Sequence, residues 1–560
     1  MEKNVILAFA LSLIVLIGWS FFFGPQKDQG AKKEEVVGQE APKKISEGLD
    51  AKGLTRRDLS PSITSPAPQT RVSEQVAKAD EQEIEVDTPL YRAVFSNAGP
   101  TLKSFKLKNY YESTNPNSDL IELVSLEEGM GDSLLFRFDS QSLAQRKNII
   151  YEVDEKALRL GTESPPKDLV FRTVTPEGFS IDQIFRFYPD EYRIDLKIEV
   201  FNQSGLPDKG AFTAHLMALP PKEKTSYYSY VGLVLLLDDK LEEVKIKNAS
   251  EEKIVRGQVD WMAYEDDFFI TAIIPEEVSK GIFTGRLLSS GVLEGFFQPA
   301  AISLGPSQKV SSRYTLYLGP RDLGIMKQLG KGLDRAVNFG WTDIIAKPLL
   351  YMLRFFNQYI KNYGVSIILL TILIKILFWP LTHKSYKSMG EMKKLQPRMA
   401  KMKEKYKDNK EQMNKEMMAL YKTYKVNPMG GCLPMVIQIP VFFALFRILG
   451  NAIELRHAPF MLWINDLSAP DRLFNFPFQI PYMAPPSGIP VLTLLMGASM
   501  FLQQKMTPTP GDPTQAKIMM FLPIIFTFMF INFPSGLVLY WFINNILSIG
   551  QQYRIQKKSA

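Results

Sequence analysis

Long runs of apolar residues without charge divide this chain. The first covers residues 4–26, and its stretch Val5–Phe23 is almost wholly apolar. A helix needs about 20 such residues to cross the hydrocarbon core of a bilayer. The run is longer than the apolar part of a signal peptide and ends without a small-residue cleavage motif. We therefore predict an uncleaved transmembrane anchor at residues 1–24, with a cleavable signal peptide as the competing interpretation.

Five further runs, all after residue 362, predict five more membrane-spanning helices. The uncharged stretch 473–488 is too rich in Pro for a helix, so the fourth span is expected to begin near Ile489. A turn at Pro534–Gly536 divides the last run into a tight helical hairpin. The pattern thus predicts six spans, the last five covering residues 363–380, about 427–446, 489–504, 518–533 and 537–549.

Basic residues lie mostly on one side of these predicted spans. Segment 381–426 holds 13 Lys and Arg residues against five acidic ones, whereas loop 447–472 holds three of each. The positive-inside rule therefore places both termini in the cytoplasm and residues 24–362 outside. The formal net charge of +7 then belongs to the cytoplasmic face. It indicates attraction to a membrane surface, with no specificity for nucleic acid.

The region predicted to lie outside has two parts. Residues 25–82 are rich in Lys, Glu, Gln, Ser and Pro without sustained periodicity, which predicts a flexible linker. From Glu83 the period changes to two, and residues 192–200 alternate apolar and charged side chains without a fault. That pattern is typical of a half-buried strand. We predict an all-β sandwich over residues 83–320.

Two amphipathic segments flank the second predicted span. Residues 321–362 predict connecting helices, and the apolar positions from Leu349 to Ile360 fit either a helix in the outer membrane interface or an ordinary packed helix. In segment 381–426, two helical patterns meet at residues 407–410 and predict an antiparallel hairpin. Its Met side chains form either the seam of the hairpin or an adaptable surface for hydrophobic partners. They are Met389, Met392, Met399, Met402, Met413 and Met417.

Lys375 is the charged residue within a predicted span. A Lys at the centre of a span costs about 2.5–3.5 kcal/mol on the insertion scale, which favours a position facing protein or water. Because Lys375 lies only five residues before Pro380, it can alternatively snorkel to the cytoplasmic surface. Other polar residues in the spans can line a wet cavity with it or form ordinary hydrogen bonds between helices. These are Thr371, Gln438, Asn544 and Asn545.

The sequence offers no constellation typical of an enzyme. The single Cys432 excludes a zinc cluster built from cysteines, and His215 is the only His in the outer region. We find no Gly-rich phosphate loop and no catalytic triad. We therefore predict a protein that is not an enzyme and needs no metal or other cofactor.

Several motifs resemble the YidC membrane protein insertase family of bacteria. Their order and spacing match from Phe339 to the C-terminus, through Leu395–Pro397, Lys425–Pro434, Gln438–Phe442 and Phe533–Trp541. More weakly, residues 96–100 and 314–320 are similar to the large periplasmic domain of Gram-negative members. The resemblance implies a multi-pass α-helical membrane protein with six transmembrane helices, the last five forming the insertase core, plus an all-β periplasmic supersandwich related to sugar mutarotases but without their activity.

The resemblance also implies a location and partners. Residues 363–553 would form the insertase core and residues 554–560 a short basic cytoplasmic tail, in a chain of the bacterial inner membrane. Its substrates would be nascent or newly made membrane proteins. Further partners would be Sec translocon components, the ribosome, the signal recognition machinery and the phospholipid bilayer.

In the family, a positive charge in the second span lies in a hydrophilic groove that opens to the cytoplasm and to lipid. Carried over, that charge is Lys375, where the family usually has Arg. Lys keeps the charge but loses the bidentate fork of Arg. The implied groove residues are Lys375, Thr371 and Gln438, and the implied substrate contacts are Phe442, Met496, Tyr540 and Trp541.

An insertase is therefore the leading hypothesis for function. The first alternative is a secondary transporter with Lys375 as its substrate or proton site, although the sequence lacks the repeated halves typical of transporters. The second is a membrane-anchored protein that binds or isomerises a sugar through the β domain.

Overall fold

A computed structural model of the chain describes residues 81–559, with gaps at 116, 125, 127–129, 131, 144–148, 222–229, 250, 278, 425–432 and 508–512. The predicted anchor at residues 1–24 lies outside the described residues, as does the predicted linker up to residue 80. The described residues from Glu81 onward belong to one compact unit.

Most strands lie between Glu83 and Pro320. In chain order the strands are β1 (Glu83–Asp87), β2 (Tyr91–Ser96), β3 (Thr101–Tyr111), β4 (Leu120–Glu122), β5 (Leu134–Ser140), β6 (Glu152–Val153), β7 (Ala157–Arg159), β8 (Lys167–Val174), β9 (Phe179–Phe187), β10 (Arg193–Asn202), β11 (Asp208–Ala218), β12 (Gly232–Leu237), β13 (Lys240–Glu243), β14 (Glu252–Glu265), β15 (Phe269–Pro275), β16 (Ser279–Leu287), β17 (Leu293–Pro299), β18 (Ile302–Leu304), β19 (Lys309–Pro320), β20 (Leu473–Asn475) and β21 (Gly488–Ile489).

Helices follow the strands. In the described part of the chain they are α1 (Leu323–Leu329), α2 (Asp343–Ile360), α3 (Tyr363–Leu377), α4 (Trp379–Lys405), α5 (Lys410–Thr423), α6 (Leu433–Asn451), α7 (Val491–Met506), α8 (Pro513–Phe530) and α9 (Ser535–Ser559).

The alternating pattern of β10 explains how the large sheet is built. Ile194, Leu196 and Ile198 are buried, whereas the charged residues between them stay partly exposed, because successive side chains of a strand point to opposite faces. β10 pairs antiparallel with β9 and β19. The sheet runs β18-β11-β17-β16-β14-β15-β19-β10-β9-β8-β6, with β12, β13 and β5 attached beside it. The predicted strand at residues 192–200 is thus confirmed, beginning one residue later.

A second sheet, β4-β3-β2-β1-β7, packs against the large one through aromatic rings. Phe95 of β2 lies with its ring centroid 5.1 Å from that of Phe185 and 5.8 Å from that of Phe187, both on β9. Phe171 of β8 adjoins the same cluster. All four side chains are almost fully buried. Two sheets facing each other across this cluster form the β-sandwich that the sequence predicts.

The helical part follows the predicted breaks. α7 begins at Val491, after the Pro-rich stretch, and the Asp471 carboxylate accepts hydrogen bonds from the backbone N–H groups of Leu492 and Thr493 at its N-terminus. α8 and α9 are separated by the predicted turn at Pro534. α9, however, continues to Ser559, ten residues beyond the predicted end of the sixth span.

A helix must be both long enough and apolar enough to cross a membrane. Within the described residues, no single helix meets both requirements. One consecutive pair, α3 and α4, meets them together and is bent by 66° at the break between its members. This break follows Leu377 and leaves Phe378 outside both helices.

The apolar side chains of α2 occupy more than one face of the helix. Leu349, Leu350 and Leu353 are buried where α2 packs on α3 and α6. Phe355 and Tyr359 are 54% and 75% exposed. The single apolar face expected from Leu349 to Ile360 is therefore divided between a packed side and an exposed aromatic side. The packed side agrees with the interpretation as a packed connecting helix, and a position in the outer membrane interface stays a prediction.

Charged side chains join the β domain to the helices. The Arg354 guanidinium of α2 pairs with Asp322, which caps α1, at 3.1 Å and with Glu454 after α6. Arg456 donates a hydrogen bond of 2.7 Å to the backbone carbonyl of Tyr111 at the end of β3. These contacts hold the loop after α6 against the β domain.

We predict that Phe95→Ala weakens the β domain. Removing a buried Phe leaves a cavity between the sheets, which lowers the free energy of unfolding by about 3–5 kcal/mol. Urea denaturation of the full-length protein in detergent, read by pulse proteolysis of the β domain, measures this loss. Val174→Ala on β8 is the matched control because Val174 is 65% exposed, and it should stay within about 0.5 kcal/mol of wild type. Equal urea midpoints for the two variants would contradict the packing described.

Candidate functional site

Lys375 lies in the last turn of α3, buried inside the helical part. Its side chain is only 7% exposed. The Lys375 Nζ donates a hydrogen bond of 2.6 Å to the Ser548 hydroxyl of α9, which in turn donates to the backbone carbonyl of Asn544. Within the described residues, the ammonium has no ion pair with a carboxylate. Since an ammonium carries three N–H donors, it retains donor capacity for a further group.

A small pocket surrounds this ammonium, and we call it the Lys375 pocket. It lies beside the break between α3 and α4, with one contribution from α6 and one from α9. The pocket has a cavity volume of about 10 Å³, which is room for about one water molecule. Polar and apolar side chains share its lining, which consists of Ile374, Lys375, Phe378, Leu381, Thr382, Gln438 and Asn544.

Asn544, the α9 residue that lines the Lys375 pocket, belongs to a polar stripe along that helix. Asn545 donates to the Ser499 hydroxyl of α7 at 3.0 Å, and Gln551 donates to the Thr382 hydroxyl of α4 at 3.0 Å. Each buried amide thereby finds a partner on another helix, as burial in an apolar setting requires. α9 packs on α3, α4, α6 and α7. The stripe consists of Asn544, Asn545, Ser548, Gln551 and Gln552.

Sequence reasoning identified only part of this stripe. The sequence leaves Asn544 and Asn545 either lining a wet cavity with Lys375 or forming ordinary hydrogen bonds between helices. In the structure Asn544 lines the Lys375 pocket, whereas Asn545 bonds to Ser499 of α7. Gln551 lies past the predicted end of the sixth span near residue 549, whereas Ser548 lies within that span and has no distinctive pattern on its own. Ser548 follows Asn544 by four residues and Gln551 follows Ser548 by three, which is the helical spacing that extends the polar face past residue 549.

Gln438 and three aromatic candidates come together on α6 and α9. The Gln438 amide lines the pocket and donates a hydrogen bond of 2.9 Å to the buried Tyr540 hydroxyl. One turn along α6, the Phe442 ring meets Trp541 edge-on, with 4.8 Å between centroids. Phe526 and Phe530 of α8 also contact Trp541. A polar pocket therefore adjoins an aromatic cluster that joins α6, α8 and α9.

Two other candidates lie apart from the pocket. Thr371 is buried, and its hydroxyl donates to the backbone carbonyl of Ile367 within α3. It is not among the residues that line the Lys375 pocket. Met496 of α7 is fully buried, with its backbone carbonyl bonded to the Ser499 hydroxyl.

The Met stripe lies along the seam between α4 and α5. Met392, Leu395 and Met399 form a buried cluster against which Met417 and Tyr421 pack. Met389 and Met413 are also buried, and Met402 is half-buried. Of the two interpretations of the stripe, this arrangement is the hairpin seam.

α7 and α8 expose large apolar side chains on their outer faces. Among them, Phe521, Ile525 and Phe528 of α8 are 61%, 61% and 72% exposed. Contiguous apolar surface of this kind is rare on proteins that face water and marks a site of contact with lipid or another protein. The exposed set is Leu494, Leu495, Phe501 and Leu502 on α7 and Met520, Phe521, Ile524, Ile525 and Phe528 on α8.

Comparison with known proteins accounts for both parts of the chain. A family model described as 60Kd inner membrane protein matches residues 355–560, which contain α3–α9. A second, described as YidC periplasmic domain, matches residues 83–352, which contain β1–β19.

Among the relatives that match the whole chain, two from different bacteria are both named membrane protein insertase YidC. The one from Pelobacter propionicus is 43% identical over 561 residues, covering 100% of this chain and 99% of its own. The one from Syntrophus aciditrophicus is 44% identical over 566 residues, covering 100% of both chains. A solved structure described as an active YidC insertase with its first transmembrane domain resolved is 19% identical, covers 84% of this chain and 92% of that chain, and has a TM-score of 0.38. At that score it supports no residue-level comparison.

We predict that Trp541→Ala loosens the junction of α6, α8 and α9. The substitution removes three ring contacts, each contributing about 0.5–1.5 kcal/mol beyond its buried area. The expected loss is therefore roughly 1.5–4.5 kcal/mol, seen as a lower thermal unfolding midpoint of the full-length protein in detergent. Tyr553→Ala on the same helix is the control, because Tyr553 is 60% exposed and should leave the midpoint unchanged. Indistinguishable midpoints would exclude the cluster as a stabilising junction.

Proposed function

The chain belongs to the YidC family of membrane protein insertases, and from this premise we propose that the Lys375 pocket receives the polar segment of a membrane protein during insertion. Family membership favours the insertase hypothesis over the secondary transporter and the sugar-binding protein, and it agrees with the prediction that the chain is not an enzyme. The family is one of the inner membrane and has a periplasmic domain. The observation that carries the proposal is a buried ammonium that has no carboxylate partner among the described residues and lies beside a small pocket with both polar and apolar lining.

We propose the six-span topology for this membrane protein, with both termini in the cytoplasm and residues 83–320 as a periplasmic supersandwich. The exposed apolar faces of α7 and α8 support contact with lipid at these helices. The basic residues of segment 381–426 support a cytoplasmic position for the α4–α5 hairpin. In this arrangement the α3–α4 break and the Lys375 pocket lie toward the cytoplasmic end of the second span.

The proposed mechanism lowers the barrier that a polar segment meets in the bilayer. Moving polar and charged groups from water into hydrocarbon is costly unless they find hydrogen-bond partners. A pocket lined by Lys375, Gln438 and Asn544 offers such partners part of the way across. Its ammonium attracts an acidic tail, and the attraction is stronger in the low-dielectric interior than in water.

The pocket must widen before it can admit a polypeptide segment, because it has room for about one water molecule. The Gln438–Tyr540 hydrogen bond is one contact between α6 and α9 that widening would break. A neutral hydrogen bond contributes only about 0.5–1.5 kcal/mol net. The free energy gained when the acidic tail binds Lys375 is large enough to offset that loss.

The apolar segment of the substrate takes a neighbouring path in this proposal. Phe442, Tyr540 and Trp541 border the pocket on the side of α8, and the outer faces of α7 and α8 are apolar. An apolar helix leaving along these faces passes into lipid without exposing its side chains to water. Met496 is fully buried in the present arrangement, so its proposed contact with substrate requires movement of α7. Thr371 acts in this scheme by packing behind the groove.

Partners beyond the substrate are proposed from the family. The basic segment 381–426 and the tail 554–560 present positive charge that suits the ribosome and anionic lipid headgroups. Sec translocon components and the signal recognition machinery are proposed to deliver or share substrates. The Met side chains of the α4–α5 hairpin are proposed to act in this delivery only if the hairpin opens, because they now fill its seam.

We predict that Lys375→Met slows insertion of a single-span substrate with an acidic translocated tail by about tenfold or more. A hydrogen bond to a charged group contributes about 1.5–3 kcal/mol, and the substitution removes that contribution. Proteoliposomes containing only the purified protein, with protease protection of the tail followed over time, give the rate. Lys375→Arg should retain most of it, and a substrate with a neutral tail should be less affected.

Lys505→Met is the matched control, because Lys505 is exposed in the last turn of α7. It should leave insertion of the acidic tail at the wild-type rate. If Lys375→Met and Lys505→Met insert that tail equally fast, Lys375 has no role in receiving it.

A further inference from the structure

The loop between α6 and α7 contains an aromatic segment, residues 473–489, that we call the outer aromatic loop. It carries no charged residue along its whole length. Three of its aromatic side chains face away from the protein: Phe474 is 69% exposed, Phe478 61% and Tyr482 98%. Exposing three large aromatic side chains close together is unfavourable in water, which calls for a surface that covers them.

Hydrogen bonds within the loop hold these rings in place. β20 and β21 pair at its two ends. Between them, Ser487 accepts a 2.8 Å bond from the Phe476 N–H at its backbone carbonyl and a 2.9 Å bond from the Ile480 N–H at its hydroxyl. A side chain at Gly488 would approach the Phe474 carbonyl oxygen to 2.2 Å, so the hairpin depends on glycine there. The aromatic rings are thus exposed by a folded loop that has its own hydrogen-bonded structure.

The outer aromatic loop is fastened to the turn between α8 and α9. The Arg472 guanidinium donates a 2.8 Å hydrogen bond to the Ile531 carbonyl. The Asn532 amide accepts from the Ala484 N–H at 2.8 Å and donates to the Tyr482 carbonyl at 2.9 Å. In the proposed topology this turn is the outer end of the α8–α9 hairpin, so the loop lies at the level of the outer membrane surface.

We infer that the outer aromatic loop inserts Phe474, Phe478 and Tyr482 into the interface of the outer leaflet. Trp and Tyr concentrate where lipid headgroups meet acyl chains, because their rings are apolar and their edges polar. The absence of charge suits that region, and the exposed aromatic side of α2, which precedes the outer end of α3, gives a second such surface on the same side. The occupant is therefore phospholipid. Through Asn532, the loop fixes the depth of the α8–α9 hairpin.

This inference rests on the proposed topology, so its test measures both. The full-length chain has one cysteine, Cys432, and Cys432→Ser gives a background for single nitroxide labels. Labels are placed by Tyr482→Cys in the loop, Ile525→Cys on the exposed face of α8 and Leu206→Cys on the β domain, where Leu206 is 71% exposed. Power saturation by oxygen and by a water-soluble nickel complex, in phosphatidylethanolamine and phosphatidylglycerol vesicles, gives the depth of each label.

The expected order of the oxygen-to-nickel accessibility ratio is Ile525 highest, Tyr482 intermediate and Leu206 lowest. Tyr482 should lie about 5–10 Å into the headgroup and acyl boundary. A Tyr482 label as accessible to nickel as Leu206, with Ile525 deep, overturns the inference and leaves the topology standing. A Tyr482 label shielded from both reagents also overturns it, because a protein then covers the loop. An Ile525 label in water overturns the topology itself.

A second pair of variants separates anchoring from folding. Phe478→Ser with Tyr482→Ser removes exposed rings without touching the hydrogen bonds of Asn532, so the protein should keep its thermal midpoint in detergent while an Ile525 label moves to a different depth in vesicles. An unchanged depth of Ile525 in this double variant contradicts the proposed role of the loop.

Discussion

The burial of one ammonium group, that of Lys375, organises the helical part of this chain. An amino group in an apolar helical bundle requires hydrogen-bond partners, and α9 supplies one in the Ser548 hydroxyl, which in turn donates to the backbone carbonyl of Asn544. The same polar stripe forms hydrogen bonds with α4 through Gln551 and with α7 through Asn545. The break between α3 and α4 then leaves a pocket beside the charge. The polar contacts that hold the helices together and the pocket that we propose as the substrate site are therefore parts of one arrangement.

The sequence predicted the β domain well because its strands carry their own signal. Alternation at residues 192–200 marks β10 without knowledge of its neighbours, and the Pro-rich stretch and the Pro534 turn mark helix ends through local chemistry. The order of the strands could not be predicted from the sequence, because pairings such as that of β11 with β5 join residues that are distant in sequence. The candidate residues were brought together in part. Lys375 and Gln438 share a pocket, whereas the Thr371 hydroxyl donates to the backbone carbonyl of Ile367 within α3. Ser548 was missed, because a lone serine in a helix has no distinctive pattern until its partner is known.

Two kinds of contact connect the periplasmic and membrane-embedded parts that we propose. Arg354 links the cap of α1 to the loop after α6, and Arg456 of that loop reaches the end of β3. The same loop continues into the outer aromatic loop, which holds the turn between α8 and α9 through Asn532. The β domain is thus connected, through one loop, to the helices that carry the aromatic cluster. This connection gives the β domain a structural route to the substrate path that we propose.

The most direct measurement of the central claim is a photocrosslinking experiment on an insertion intermediate. A photoreactive amino acid replaces Asn544 in the Lys375 pocket or Tyr553, which is exposed further along α9. A single-span substrate with an acidic tail is arrested midway in proteoliposomes and irradiated, then released and irradiated again. If the tail occupies the pocket, Asn544 crosslinks to it during arrest, loses the crosslink after release, and exceeds Tyr553 throughout the arrest. Efficient insertion with no crosslink from Asn544 at any stage would contradict the claim that the polar segment passes through this pocket.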